Sequence, residues 1–338
     1  MLYVTTRNNR DAFTAQRVLT ENRGPEGGLF LPFREPLFSE EELDALFALP
    51  FDQCVAQMLN LFFRKELTGW DVAFAGGKSP VRLAELGQRI WVAEAWHNPR
   101  WCYDSLVSSL TLRLRGENRE PGNWVRIAVN IAVLFGVFGH LRQRGIASAD
   151  ICLAAGDFSL PISAWYARRW GAPIGSIILC CNENNNLWDL ICHGQLRTDA
   201  VSIPTELPEA DVALPVDLER LIYGCGGTLE VERYLDACRR GGVYCPNDAV
   251  LTKLRKGLHV SVVSSQRMDT TIPSAYRTHA YLLSPGEALA YAGLLDYRAR
   301  TGQIGHAVIF GEKSPKLDFE RISRTLGISP EELKEKLK

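Results

Sequence analysis

The sequence predicts an α/β fold with a parallel sheet, preceded by a mostly helical N-terminal module. Three observations carry this. Between residues 150 and 181 an apolar strand, a glycine-bearing loop, a helix and a second apolar strand follow one another at the spacing of a βαβ unit, which requires parallel strands. Residues 124–144 make a long apolar helical run, closed by His140 and Arg142, that suits a buried core helix. Much of the first 80 residues has helical patterning, with an N-cap signal at Ser39 and three acidic residues behind it. The chain of 338 residues is 46% hydrophobic and 23% charged, with a net charge of −1. That is enough apolar material for one large domain or two smaller ones, and it gives no electrostatic case for nucleic acid or an anionic membrane. The polar start reads as neither a signal peptide nor an anchor. Nine cysteines without C-x-x-C spacing read as reduced thiols of a cytoplasmic protein, not as a disulfide framework or a metal site.

In order along the chain, residues 13–19 are amphipathic and Gly24–Pro32 (GPEGGLFLP) turns into a short strand. Helices are expected at 43–49 and 52–63. A strand at 90–92 ends in a Trp96-His97-Asn98-Pro99 turn, and a helix over 105–115 follows, with Asp104 placed to cap it. A turn between a strand and a helix N-terminus is where α/β enzymes often hold their chemistry. Trp96, Trp101 and Tyr103 read as an apolar contact surface, a subunit contact for instance, since interleaved basic residues are too sparse for base stacking. Past the polar turn 116–122 and the apolar helix come a strand at 150–153, the loop Ala154–Pro161 and a helix over 162–170. A strand follows at 174–181, then helical segments at 217–223, 229–240, 247–256 and 285–300 and a strand at 307–310. His97 and His193 read as turn residues.

The order of short motifs resembles the threonine synthase family. Tyr3, Thr6 and Arg7 match its opening strand, and Gly27–Pro32 (GGLFLP) its Gly-Gly-Leu-Tyr-Val-Pro. Glu94, His97, Pro99 and Tyr103 hold places in its Glu-Leu-Phe-His-Gly-Pro-Thr-x-Ala-Phe-Lys-Asp segment. Asn123-Trp124-Val125-Arg126, Asn182-x-Asn184, His193-Gly194-Gln195, Val216–Tyr223 (VDLERLIY) and Ser314-Pro315 follow in the family's order. The resemblance implies a fold-type II, tryptophan synthase β-like architecture. It divides the chain into an N-terminal domain over 1–85 and a large domain over 86–338, with a domain-sized subdomain missing near 116–122.

The resemblance also implies pyridoxal phosphate and conversion of O-phosphohomoserine to threonine, and it is here that the chain departs from its family. Asp104 stands where the family has the lysine that carries the cofactor, and a carboxylate forms no imine. The phosphate loop, matched by Ala155, Gly156, Asp157, Phe158 and Ser159, has lost its serine and second glycine and gained an acid that opposes a phosphate and competes for its N–H donors. The expectation is a non-catalytic homologue that holds no cofactor and binds a small molecule or a partner, either a second copy or an active threonine synthase. Asn182, Asn184 and Ser314 are expected in the remaining cleft. Two alternatives stay open. One is a working lyase with a displaced lysine (Lys253, Lys256, Lys313 or Lys316). The other is a new activity with His97, Asp104 and Asp157 as acid/base groups.

Overall fold

The computed structural model describes residues 1–76, 81–98, 100–116 and 121–336; Lys78 and Pro99 lie outside the described residues, as does most of the 116–122 turn. Its centre is a six-stranded sheet in the spatial order Leu258–Val262, Ile174–Cys181, Ala149–Ala154, Ala307–Gly311, Ile90–Glu94, Arg82–Gly87. The first five strands run parallel, and Arg82–Gly87 closes the edge antiparallel to Ile90–Glu94. That hairpin straddles the 85/86 division expected between domains. From Ala149–Ala154 the chain winds outward through two strands and then returns to insert Ala307–Gly311 on the other side. The strand order therefore reverses between Ala149–Ala154 and Ala307–Gly311, and a doubly wound sheet opens its binding crevice at such a point.

The expected βαβ unit is present as Ala149–Ala154, helix Ser159–Arg169 and Ile174–Cys181. The apolar run is helix Trp124–Gln143, with 89% of its most apolar stretch inside the fold. It is long and apolar enough to cross a bilayer by composition, yet here its apolar faces are covered by protein on all sides. Glycines let neighbours approach it: a Cβ at Gly136 would lie 2.6 Å from the Phe51 ring. The N-terminal residues add helices Glu40–Ala48 and Phe51–Phe63 and a three-stranded sheet around Leu2–Thr5. Ser39 forms the predicted N-cap, completed into a capping box by Glu42. One apolar core runs from Tyr3 to Phe310, so the N-terminal module and the sheet share their interior.

Among the elements that escaped the sequence reading, three pack in or against the central sheet. Strand Leu258–Val262 (LHVSV) is interrupted by polar residues, and helix Ser265–His279 carries Pro273. Edge strand Arg82–Gly87 (RLAELG) is short and charged, as edge strands often are. The expected helices at 217–223 and 229–240 are halves of Leu218–Arg240, broken where Gly227 adopts a φ of 70°. The aromatic surface expected of Trp96, Trp101 and Tyr103 is corrected: the three side chains diverge. Tyr103 is buried and donates to Asn130 Oδ1 (2.7 Å), and Trp96 donates to Glu287 Oε1 (2.9 Å). Only Trp101 is exposed, beneath the Lys316 ammonium. All nine cysteines are free thiols.

Candidate functional site

A cavity of 340 Å³ opens at the switch point. Its walls come from the loop after Ala149–Ala154, from Phe310, Glu312 and Lys313 at the end of Ala307–Gly311, and from Pro208, Glu209 and Val212 of the connector. Arg126 reaches in from the buried helix Trp124–Gln143.

The head of helix Ser159–Arg169 shapes one side. Gly156 (φ 44°) and Phe158 (φ 69°) are both left-handed, turning the chain sharply so that the first N–H groups of the helix face the cavity loop. One of those donors is already engaged. Asp157 Oδ1 accepts from Ser159 N (2.9 Å) and from Ser159 Oγ (2.7 Å). Ser159 Oγ in turn accepts from Arg126 Nε (3.1 Å). Arg126 also pairs with Asp104 Oδ1 (2.5 Å) and lies 3.7 Å from Asp157 Oδ2. Burial opposes charge on Arg126, but Asp157 and Asp104 more than restore it, so the guanidinium stays a cation.

Asp104 is therefore not the helix cap that local sequence suggested. The helix spans Tyr103–Arg113 with Cys102 at its N-cap, and Asp104 sits in the first turn, where its charge suits the dipole while its carboxylate reaches Arg126. Backbone bonds between 101–103 and 312–314 hold that turn against the strand end: Tyr103 N donates to Glu312 O (2.7 Å) and Ser314 N to Trp101 O (2.9 Å).

The other expected residues separate. Ala155, Gly156 and Asp157 line the cavity, while Phe158 is buried behind it. Asn182 and Asn184 do not line it. Both are buried and tether the connector, Asn182 Nδ2 donating to Asp211 Oδ1 (2.6 Å) and Asn184 Nδ2 to Ile203 O (2.9 Å). The connector they fix supplies a cavity wall. Ser314 is buried and caps the short helical turn Pro315–Leu317. His97 is exposed in the turn after Ile90–Glu94, its N–H donating to Glu94 O (3.1 Å), and does not line the cavity. His193 packs edge-on against Trp188.

Of the four candidate lysines, Lys313 alone lines this cavity. Its ammonium pairs with Glu209 at 3.0 Å. Burial works against that charge, but the Glu209 bond and charge prevail and hold the amine protonated. Lys316 lies over Trp101, and Lys253 and Lys256 face another cavity. The sequence reading missed Glu209, Glu312 and Asp318 as cavity residues. Burial, with the nearby charge of Asp157, pushes the Glu312 carboxyl up to about 7. The signal was available: Glu312-Lys313 is a charged pair directly behind a buried strand. Among the described residues no group of His, Cys, Asp or Glu is arranged to hold a metal ion.

A pyridoxal phosphate does not fit these residues. The Ser159 N–H at the head of the helix serves Asp157, that carboxylate would oppose a phosphate there, and the amine in reach is an ion-paired ammonium.

The fold and the placement of the crevice define a protein of the fold-type II architecture of pyridoxal phosphate enzymes. Within that class it is the threonine synthases that the chain resembles. Residues 2–73 match the threonine synthase N terminus family. The threonine synthase of Pseudomonas aeruginosa is 22% identical over 395 positions, spanning 86% of this chain and 83% of that protein. The human threonine synthase-like 1 is 27% identical over 177 residues, half of this chain and 24% of that longer protein. Among solved structures, a pyridoxal phosphate-bound threonine synthase from Brucella melitensis superposes with a TM-score of 0.86 at 17% identity, covering 97% of this chain and 92% of that one.

Proposed function

We propose that this chain is a threonine synthase homologue that has given up pyridoxal chemistry and binds a small ligand directly in its switch-point cleft. The observation that carries the reading is the Asp104–Arg126–Asp157 arrangement. An acid at the position resembling the lysine is paired with Arg126, and a second acid holds the Ser159 N–H at the head of helix Ser159–Arg169. The network sets a carboxylate against a phosphate and leaves an aldehyde without a free amine beside it. Loss of a subdomain near 116–122 fits the same reading. The 395 positions matched to the Pseudomonas enzyme exceed the whole length of this chain, so the relative carries a length with no counterpart here. Without that length the cleft is less able to exclude water from a reacting carbanion. A cytoplasmic setting, and association with a second copy or with an active threonine synthase, belong to the same proposal.

A second reading rests on Lys313, which lines the cleft and is the amine from which a displaced lyase would have to work. One experiment separates the two. Purified protein is incubated with pyridoxal phosphate, reduced with borohydride and digested for mass spectrometry. The first reading expects no absorbance of an internal imine and no phosphopyridoxyl-lysine; a stoichiometric adduct on Lys313 overturns it in favour of the second.

A further inference from the structure

Lys253 and Lys256 border a separate cavity of 370 Å³, a volume that suits a small molecule. The switch-point cleft lies at the head of helix Ser159–Arg169, and this cavity lies at its tail, where Arg168 and Arg169 project. The two sites are thus separated by the helix length, about 16 Å at 1.5 Å per residue. The floor is the indole of Trp165. Helix Leu218–Arg240 passes so close that a Cβ at Gly224 would stand 2.3 Å from that ring.

Four cations surround this floor, and a single carboxylate answers them. Glu35 takes Arg169 through two bonds of 2.8 and 3.2 Å. Arg168 Nη1 donates to Lys256 O (3.2 Å) and Lys253 Nζ to Cys225 O (3.0 Å). Those bonds to neutral carbonyls fix the side chains and cancel no charge. Among the described residues Arg168, Lys253 and Lys256 have no acidic partner, although the chain as a whole has a net charge of −1. Three like charges around one concavity repel each other, and a multiply charged anion between them relieves the repulsion.

The donors come from the end of helix Ser159–Arg169, from helix Asp248–Arg255 and from the residue that follows it. Such a spread suits a tetrahedral oxyanion, and the guanidinium adds a planar fork for two of its oxygens. We propose that this cavity binds a phosphate-bearing small molecule. The proposal does not depend on what occupies the cleft.

The test is calorimetric titration of the full chain with inorganic pyrophosphate at low ionic strength. Wild type is expected to bind, with affinity falling as salt is raised. The Lys253→Gln/Lys256→Gln variant, altered at two exposed positions, is expected to bind at least tenfold more weakly with an unchanged melting temperature, and Arg168→Gln likewise. Arg126→Gln, in the cleft, is expected to bind as wild type does. The proposal is overturned by no heat of binding in wild type, by full affinity in the double lysine variant, or by loss of binding in Arg126→Gln alone.

Discussion

Two regions of the molecule use the same chemistry, an arginine paired with carboxylate, to opposite ends. At the junction of the N-terminal module with the sheet, Arg220 is wholly buried. It pairs with Asp217, donates to Phe30 O (2.9 Å) and Gly122 O (2.8 Å), and lies over the Trp124 ring. Beside it, Arg7 and Thr6 close on Glu219, with the Arg7 Nη2 bond at 2.9 Å. In the cleft, Arg126 meets Asp104 and Asp157, but both acids are about half exposed to solvent, at 60% and 47%. The junction binds together motifs that lie far apart in sequence: Thr6-Arg7, the GGLFLP strand, the Asn-Trp-x-Arg helix start and VDLERLIY. Motifs that interlock in this way constrain one another, because each is a partner of the others.

This contrast predicts unequal costs. Arg220→Ala leaves Asp217 charged and buried without its partner, so unfolding in denaturant should show a loss of about 3–5 kcal/mol. A loss below about 1 kcal/mol would erase the distinction drawn here.

The second prediction concerns Glu287, buried behind the cleft, where it caps helix Pro285–Thr301 and accepts from Trp96. Burial pushes its carboxyl up to about 7. The native state then holds a proton that the unfolded chain has already released, so Glu287 lowers stability as pH rises through the interval between the ordinary carboxyl range and 7. A shift of that size is worth about 3 kcal/mol. Melting curves between about pH 5 and 8 should show wild type losing stability relative to Glu287→Gln as pH rises; parallel curves would mean that the carboxyl is not perturbed.

The smallest effect is expected in the cleft. Asp104→Ala removes a largely exposed partner of Arg126 and should cost no more than about 1 kcal/mol, shrinking as salt is added. A cost as large as that of Arg220→Ala would make the cleft pair structural.

The fold was legible because its signals are local. The βαβ spacing, the apolar helix Trp124–Gln143 and the Ser39 cap are all written in consecutive residues. Strand Leu258–Val262 was hidden because its pairing with Ile174–Cys181 is set by residues 81 positions away and not by its own alternation. The cleft was half legible. Asp157 beside Ser159 announced competition for the helix donors, and the Asp157 hydrogen bonds follow from adjacency in the chain. The destination of Asp104 did not, since Arg126 lies 22 residues further on and meets it only after two helices have packed. Nor did sequence separate Lys313 from Lys253; their distances from the cleft are tertiary facts.

One feature reaches beyond this chain. The short bridge after helix Tyr103–Arg113 is anchored at both ends: Gly116 N donates to Thr111 O (3.0 Å), and Gly122 O is held by Arg220. Such a locus tolerates cargo, because the entry cost of a longer insert grows only with the logarithm of its length. A folded module whose termini sit close together could be spliced in at this point, making the chain a ready acceptor for grafted domains.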